Sequence, residues 1–150
     1  RTSAELVFDQ GLGDIFSIRI AGNFANQDIL GSMEFACNVA GSKLVVVLGH
    51  TKCGALKGGL DAPQIEGLGM DNLNHLIYHF EPCIHEVIKE GEERSSKNED
   101  LLERLNVCNI KSTINDIRHQ SSTLRNLEKE GKIMIVGANY DVETGVVTWL

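Results

Sequence analysis

The sequence predicts an α/β fold in which a central, mostly parallel β-sheet is flanked by helices. Two apolar runs, residues 44–48 and 133–136, have the continuous character of buried parallel strands. Elsewhere apolar residues recur at steps of three and four, which indicates amphipathic helices. The length of 150 residues and the hydrophobic content of 42% fit one domain over residues 1–150.

The first part of the chain predicts a strand, a helix and a second strand. Residues 15–20 alternate between apolar and other side chains, and turn residues follow at 21–23. Asp28 is placed to cap a helix that Gly41 would stop, and the second strand is predicted over residues 43–48. This order predicts a parallel, right-handed βαβ crossover.

Helices are predicted through the middle of the chain. A short helix is expected over residues 54–59, followed by a glycine-rich loop. Asp71 is placed to cap a helix whose apolar periodicity continues to Ile88. Ser96 and Glu99 have the spacing of a capping box at the start of a long helix.

The C-terminal part predicts the remaining strands. A short helix near residues 122–130 leads to the apolar run at 133–136. A turn over residues 141–145 then precedes a final strand over 146–149. Trp149 is expected to be a core residue or an interface anchor.

Charge excludes two classes of partner. A formal net charge of -7 argues against nucleic acid and against an anionic membrane surface. The longest apolar stretch is far short of the roughly 20 residues that span a bilayer. We expect a soluble cytoplasmic protein without nucleic-acid or membrane partners, although a targeting peptide upstream of Arg1 would change the compartment.

The four cysteines are well separated and lack the density of a disulfide-stapled secreted protein. This spacing predicts a reducing compartment or indifference to redox conditions. Cys37, Cys83 and Cys108 are interpreted as core residues because free cysteine is among the most buried residue types.

His50 and Cys53 follow the predicted strand at 43–48. In open α/β sheets ligands bind beyond the carboxyl ends of the strands, and nitrogen plus sulfur ligation favours zinc. A His-x-x-Cys pair alone is a weak signal, so a satisfied histidine beside an inert thiol is the alternative. His75 and His79 share one helix face, but no third ligand accompanies them, and we interpret them as solvent-facing or interface residues.

Four segments in order along the chain resemble β-class carbonic anhydrases. They span residues 4–11, 13–23, 30–36 and 46–55, and the resemblance extends over nearly the whole chain. It implies a β-carbonic anhydrase-like fold and zinc as the cofactor. It also implies reversible hydration of carbon dioxide to bicarbonate and a proton, in a homodimer or higher homo-oligomer.

The resemblance implies that His50 and Cys53 are zinc ligands. The family's third protein ligand comes from a Cys-x-Asp-x-Arg element, of which this sequence contains only the arginine, Arg1. Arg1 is implied to pair with the aspartate of that element, which orients the reacting oxygen. We therefore expect the 150-residue chain to be inactive or nearly so, because two ligands hold zinc weakly.

The resemblance also implies pocket residues for an uncharged substrate. Phe16 and Ala21 match positions that line the pocket, although Phe16 could equally be core. The backbone N–H of Gly54 is implied to receive a bicarbonate oxygen. Tyr140 is a candidate for a subunit interface or for bicarbonate regulation.

Two other functions fit the same resemblance. One is hydrolysis of carbon disulfide or carbonyl sulfide, for which loops and oligomer control access to the zinc. The other is a noncatalytic carbonic-anhydrase-like regulatory domain.

Overall fold

The computed structural model describes residues 3–65 and 68–150 of the chain. Helices outnumber strands over that length, and the described residues contain three strands. In chain order the elements are α1 (Ala4–Val7), α2 (Gln27–Glu34), a π-helical segment (Phe35–Val39), β1 (Leu44–His50), α3 (Gly54–Leu60), α4 (Ala62–Ile65), α5 (Asp71–Tyr78), α6 (Glu81–Val87), α7 (Glu99–Gln120), α8 (Ser122–Lys129), β2 (Met134–Tyr140) and β3 (Val147–Trp149).

The sheet contains a parallel pair and an antiparallel edge strand, in the order β1-β2-β3. β1 and β2 run parallel in a register that pairs Leu44 with Met134 and His50 with Tyr140. β3 returns antiparallel to β2, with Ala138 opposite Trp149. The predicted α/β fold class is confirmed, and the helices between β1 and β2 supply the long connection that a parallel pair requires.

The predicted strand over residues 15–20 is wrong, and with it the predicted βαβ crossover. This segment has no regular secondary structure, and Phe16, Ser17 and Arg19 are exposed. Its residues and β1 line opposite parts of one cavity of about 740 Å³. Alternating side chains do not make a strand without a partner edge, and this segment makes no ladder with β1.

α7 separates two groups of buried apolar side chains and contributes to both. The first group lies between α7, α8 and the sheet, and the second joins α3, α6 and the N-terminal half of α7. Members of the first include Val47, Ile110, Ile114, Ile117, Leu124 and Ile135, and members of the second include Leu56, Leu60, Phe80, Ile84, Leu101 and Leu105. The 22-residue α7 is therefore the shared wall of the core.

The N-cap of helix α2 lies two residues before the predicted cap. The side chain of Asn26 accepts a hydrogen bond from the Ile29 N–H at 3.0 Å, while Asp28 lies inside the first turn. Asp28 there still favours the helix through its charge near the positive end of the dipole. Past Glu34 the backbone widens into a π-helical turn, and the Ser42 N–H then bonds to the carbonyl of Ala36 at 2.9 Å.

The predicted caps of the later helices also shift. α7 is capped by Asn98, whose side chain accepts from the Leu101 N–H at 3.0 Å, and not by Ser96. Ser96 instead donates its backbone N–H to the carboxylate of Asp61. The helix predicted from Asp71 to Ile88 is divided into α5 and α6, with Met70 at the N-cap position of α5.

Two of the four cysteines are joined. Cys83 on α6 and Cys108 on α7 form a disulfide, with their Cα atoms 5.8 Å apart. Both pack in the core as predicted, Cys83 buried and Cys108 partly buried, and their disulfide was not predicted because helix packing brings together residues that are 25 positions apart. Cys37 and Cys53 are buried free thiols.

Trp149 is not a core residue, since 56% of its surface is exposed. Its ring lies near Phe8, with centroids 6.4 Å apart. A role as interface anchor stays a prediction. Among the described helices, none combines the length and the apolar character needed to cross a bilayer.

Candidate metal centre

The two candidate zinc ligands lie on either side of one tight turn. His50 is the last residue of β1, and Cys53 is the residue before α3. Between them Lys52 adopts a φ of 57°, a left-handed conformation that is uncommon for a residue with a side chain. This turn brings the imidazole and the thiol into hydrogen-bonding contact.

The histidine is oriented by its neighbour in sequence. Nδ1 of His50 lies 2.8 Å from the carbonyl oxygen of Thr51. Because a carbonyl oxygen only accepts, Nδ1 carries the proton and Nε2 is left with its lone pair. The contact with Cys53 raises the pKa of His50 above its usual value, against the effect of partial burial.

The cysteine is buried, yet its pKa is lowered. Burial acts to raise the pKa of Cys53, yet contacts with His50 and with the backbone N–H groups of Leu56 and Ala55 leave it below the ordinary value. A thiolate is the form of cysteine that binds metal. A neutral imidazole nitrogen and a thiolate in contact suit zinc, so these two residues fit part of a zinc site.

The site does not contain a complete ligand set within residues 3–65 and 68–150. In that part of the chain no group of three or more His, Cys, Asp and Glu side chains is arranged to hold a metal ion. Arg1, predicted to orient an aspartate, lies outside the described residues. The assignment of His50 and Cys53 as ligands stays a prediction that their geometry supports.

A second turn, at Ala21 to Asn23, carries the predicted pocket residue Ala21. Gly22 has a φ of 81° and lies against the ring of Phe80, where any Cβ would overlap the ring atoms. Asn23 also adopts a left-handed backbone, with a φ of 58°. Only glycine fits the first of these positions.

Buried polar side chains of α7 hold this second turn. The Asn109 side chain donates to the Gly22 carbonyl at 2.8 Å, and the Thr113 hydroxyl donates to the Asn23 carbonyl at 3.0 Å. Both side chains are at least 94% buried, with exposures of 6% and 4%. These bonds satisfy carbonyl groups that would otherwise be buried without partners.

Sequence reasoning missed these α7 residues, although a signal was present. Asn106, Asn109 and Thr113 recur at steps of three and four within an apolar stripe, which is typical of polar side chains that face a buried partner. Asn106 also has a buried partner, since it donates to the Asn139 side chain at 2.8 Å. It packs beneath Gly49, the residue before His50. α7 thus contacts the second turn and the end of β1.

The predicted pocket residues occupy different surroundings. Of the described residues, Phe16 and His50 both line the cavity of about 740 Å³, and Ala21 adjoins the lining residue Gly22. Phe16 is 49% exposed, so its alternative as a core residue is wrong for this chain, and its ring lies 6.3 Å from that of Phe35. Gly54 is the first residue of α3, beside Cys53.

Of the predicted histidine pair, His75 and His79, the second contacts Phe24, the residue that follows the second turn. His75 and His79 are exposed, with ring centroids 5.1 Å apart. The His79 ring stacks on Phe24, just beyond Asn23, at a centroid distance of 4.0 Å. Burial, followed by the nearby His75, lowers the pKa of His79.

The sequence profile of the carbonic anhydrase family matches residues 1–147. This chain belongs to that family. It is 31% identical over 145 residues to carbonic anhydrase 2 of Mycobacterium tuberculosis, covering 97% of this chain and 67% of that protein. It is 30% identical over 153 residues to a carbonic anhydrase of Synechococcus elongatus, covering 98% of this chain and 55% of the other.

Solved structures place this family member in the β class. The fold is similar to that of the β-carbonic anhydrase CcaA, with a TM-score of 0.85 and 24% identity, covering 99% of this chain and 67% of the other. The β-carbonic anhydrase CafA of Aspergillus fumigatus gives a TM-score of 0.82 and 25% identity, covering 99% of this chain and 69% of CafA. The resemblance to β-class carbonic anhydrases is confirmed.

Proposed function

We propose that this chain provides the zinc-binding core of a β-class carbonic anhydrase, which interconverts carbon dioxide and bicarbonate. The contact between His50 and Cys53 at the carboxyl end of β1 carries this proposal, together with the family match. Zinc bound there would supply a Lewis acid that lowers the pKa of a bound water to about 7.

The residues of the chain have separate tasks in this proposal. His50 offers Nε2, because the Thr51 carbonyl holds the proton on Nδ1. Cys53 offers a thiolate that backbone N–H groups at the start of α3 stabilise. Arg1 would hold the carboxylate that orients the reacting oxygen, by the bidentate geometry of a guanidinium.

Phe16 and Ala21 are proposed to line an apolar pocket, which suits a substrate without charge. The segment that carries them also lines the cavity beside β1. The backbone N–H of Gly54 is proposed to receive a bicarbonate oxygen, which would position the product beside Cys53. Regulation through Tyr140 stays a prediction.

We further propose that the chain works as a homo-oligomer. Large apolar side chains are exposed along the N-terminal segment and at the C-terminal end, including Leu12, Phe16, Val146 and Trp149. Exposed apolar surface of this kind is typical of protein interfaces. The similar β-carbonic anhydrases of Sordaria macrospora are described as tetrameric. The cytoplasmic location stays a prediction.

The alternative functions receive less support. A carbon disulfide hydrolase of Acidithiobacillus thiooxidans is 35% identical, but over 66 residues that cover 43% of this chain and 30% of that protein. Matches to carbonic anhydrases extend over nearly the whole chain. A noncatalytic regulatory role is tested by the activity assay described next.

The test is to measure zinc content and carbon dioxide hydration for the chain and for a version extended by a Cys-x-Asp-x segment ahead of Arg1. We expect one zinc per chain and activity in the extended protein, and little of either in the chain alone. Cys53→Ser in the extended protein is the matched control and should lose both. An extended protein that binds zinc but does not hydrate carbon dioxide would exclude the proposed reaction and favour the alternatives.

A further inference from the structure

Thr51, between the two candidate ligands, uses every polar group it has. Its backbone N–H donates to the Tyr140 carbonyl at 3.0 Å, at the end of β2. Its hydroxyl oxygen accepts the backbone N–H of Val142 at 3.0 Å, in the turn between β2 and β3. Its carbonyl accepts Nδ1–H of His50 at 2.8 Å.

These three bonds connect the β2–β3 turn to the imidazole through a single residue. Two of them fix Thr51 from Tyr140 and Val142, the second of which lies 91 positions further along the chain. The third bond orients the His50 ring, because the Thr51 carbonyl that accepts it is itself held in place. A hydrogen bond to the far nitrogen of a metal-ligating histidine sets both its tautomer and its ring orientation.

We propose that Thr51 is a positioning residue of the metal centre, through which the β2–β3 turn holds His50 in the Nδ1–H tautomer. This inference rests on the proposed function, since it assigns Nε2 of His50 to the metal. Thr51 touches neither the substrate nor the metal in this proposal. The hydroxyl matters because it keeps the Thr51 carbonyl aimed at the ring.

The adjacent ion pair has a different character. Lys52 pairs with Glu143 of the same turn, but both side chains are largely exposed, at 49% and 66%. Exposed ion pairs contribute little and are screened by salt. Each of the three Thr51 bonds involves at least one backbone group, so these bonds are the stronger candidate for setting the imidazole geometry.

The first experiment measures Co²⁺ binding by its thiolate absorption band in the protein extended by a Cys-x-Asp-x segment ahead of Arg1, which serves as the parent, and in its Thr51→Val and Thr51→Ser variants. Valine keeps the β-branched shape and removes the acceptor, whereas serine keeps the hydroxyl. We expect T51V to bind Co²⁺ about 10-fold more weakly and T51S to bind nearly as the parent does. Thr148→Val, at an exposed position of β3, is the control and should leave binding unchanged.

The second experiment needs no metal. Nitrogen-15 NMR of the His50 ring, at a pH where the imidazole is neutral, reports which nitrogen carries the proton. We expect Nδ1–H to dominate in the parent and in T51S, and Nε2–H to increase in T51V. Thermal unfolding of each variant verifies that it is folded, and Thr51→Ala replaces T51V if valine prevents folding.

The two failures are distinguishable. If the parent binds Co²⁺ no better than His50→Ala or Cys53→Ser variants, the proposed metal centre is wrong, and the tautomer measurement still decides the role of Thr51. If His50→Ala abolishes binding while T51V matches the parent in affinity and in tautomer, the positioning role is wrong.

Discussion

The metal turn, residues 51–53, and the pocket turn, residues 21–23, are both strained turns, but different contacts hold them in place. Each contains left-handed backbone, and each carries a residue predicted to function. The metal turn is held by the β2–β3 turn at the surface, through Thr51 and an exposed ion pair. The pocket turn is held by buried side chains of α7 and by Phe80.

Because one turn is held by buried groups and the other by exposed groups, substitutions at the two turns should affect stability differently. Groups buried without water gain more from each hydrogen bond, and lose more when a partner is removed, than groups at the surface. Substitutions at the pocket turn should therefore act mainly on stability. Substitutions at the metal turn should act mainly on ligand geometry and leave stability nearly unchanged.

The largest effect is expected from Gly22→Ala. A methyl group there meets the Phe80 ring, and alanine also strains the backbone at a φ of 81°. We expect a loss of about 3 kcal/mol or more in the free energy of unfolding, measured by urea denaturation. Gly13→Ala separates the two causes, because Gly13 has a φ of 93° with no atom close to the added Cβ. If G22A and G13A lose the same free energy of unfolding, the loss comes from backbone strain and not from the Phe80 ring.

A smaller loss is expected from Asn109→Ala. It leaves the buried Gly22 carbonyl without its donor, which should cost about 1–3 kcal/mol. Asn115→Ala is the matched control, since Asn115 is exposed on the same helix. If both variants unfold at the same urea concentration, α7 does not hold the pocket turn through this bond.

Glu143→Gln removes the exposed ion pair at the metal turn. It should change the free energy of unfolding by at most about 1 kcal/mol. The change should vanish at high salt, because the Lys52–Glu143 pair is exposed and screened. Urea midpoints at low and high sodium chloride measure this, with Glu103→Gln on the exposed face of α7 as the control. A loss that persists at high salt would show that the ion pair is more than a screened contact.

His79 gives the smallest expected effect, and it depends on pH. Its pKa in the folded chain lies below the usual 6.5, through burial and then the nearby His75, while Asp116 acts in the opposite direction. The folded state thus favours the neutral ring, so this contribution is complete above pH 6.5 and is lost as the pH falls through the lowered pKa. His79→Gln should reduce the loss of stability between pH 7.5 and 5.5, measured by urea midpoints. An unchanged slope in H79Q would contradict the assignment.

Features that are local in sequence could be predicted. The apolar run of β1 and the periodicity of α7 each specify their own element, and both elements form. His50 and Cys53 are three residues apart, so one turn was enough to predict their contact. The end of β1 was less certain, because His50 proved to be the last residue of the strand and not a residue beyond it.

Features that depend on distant partners could not be predicted. Asn109 and Gly22 are 87 positions apart, and nothing near either residue specifies the other. The disulfide between Cys83 and Cys108 depends likewise on how α6 packs against α7. Residues 15–20 have the pattern of a strand, but a ladder also requires a free edge at the right distance.

The pairing of β1 with β2 also sets an order of events during synthesis. The ribosome delivers β1 and both candidate ligands before their parallel partner strand and the turn that holds Thr51, whose Val142 follows Thr51 by 91 positions. Contacts between segments so far apart in sequence form slowly, because a long intervening loop must close first. A nascent chain halted before residue 134 would therefore carry the imidazole and the thiol without the strand and turn that position them. Metal capture should therefore follow the emergence of β2 and the β2–β3 turn, not precede it.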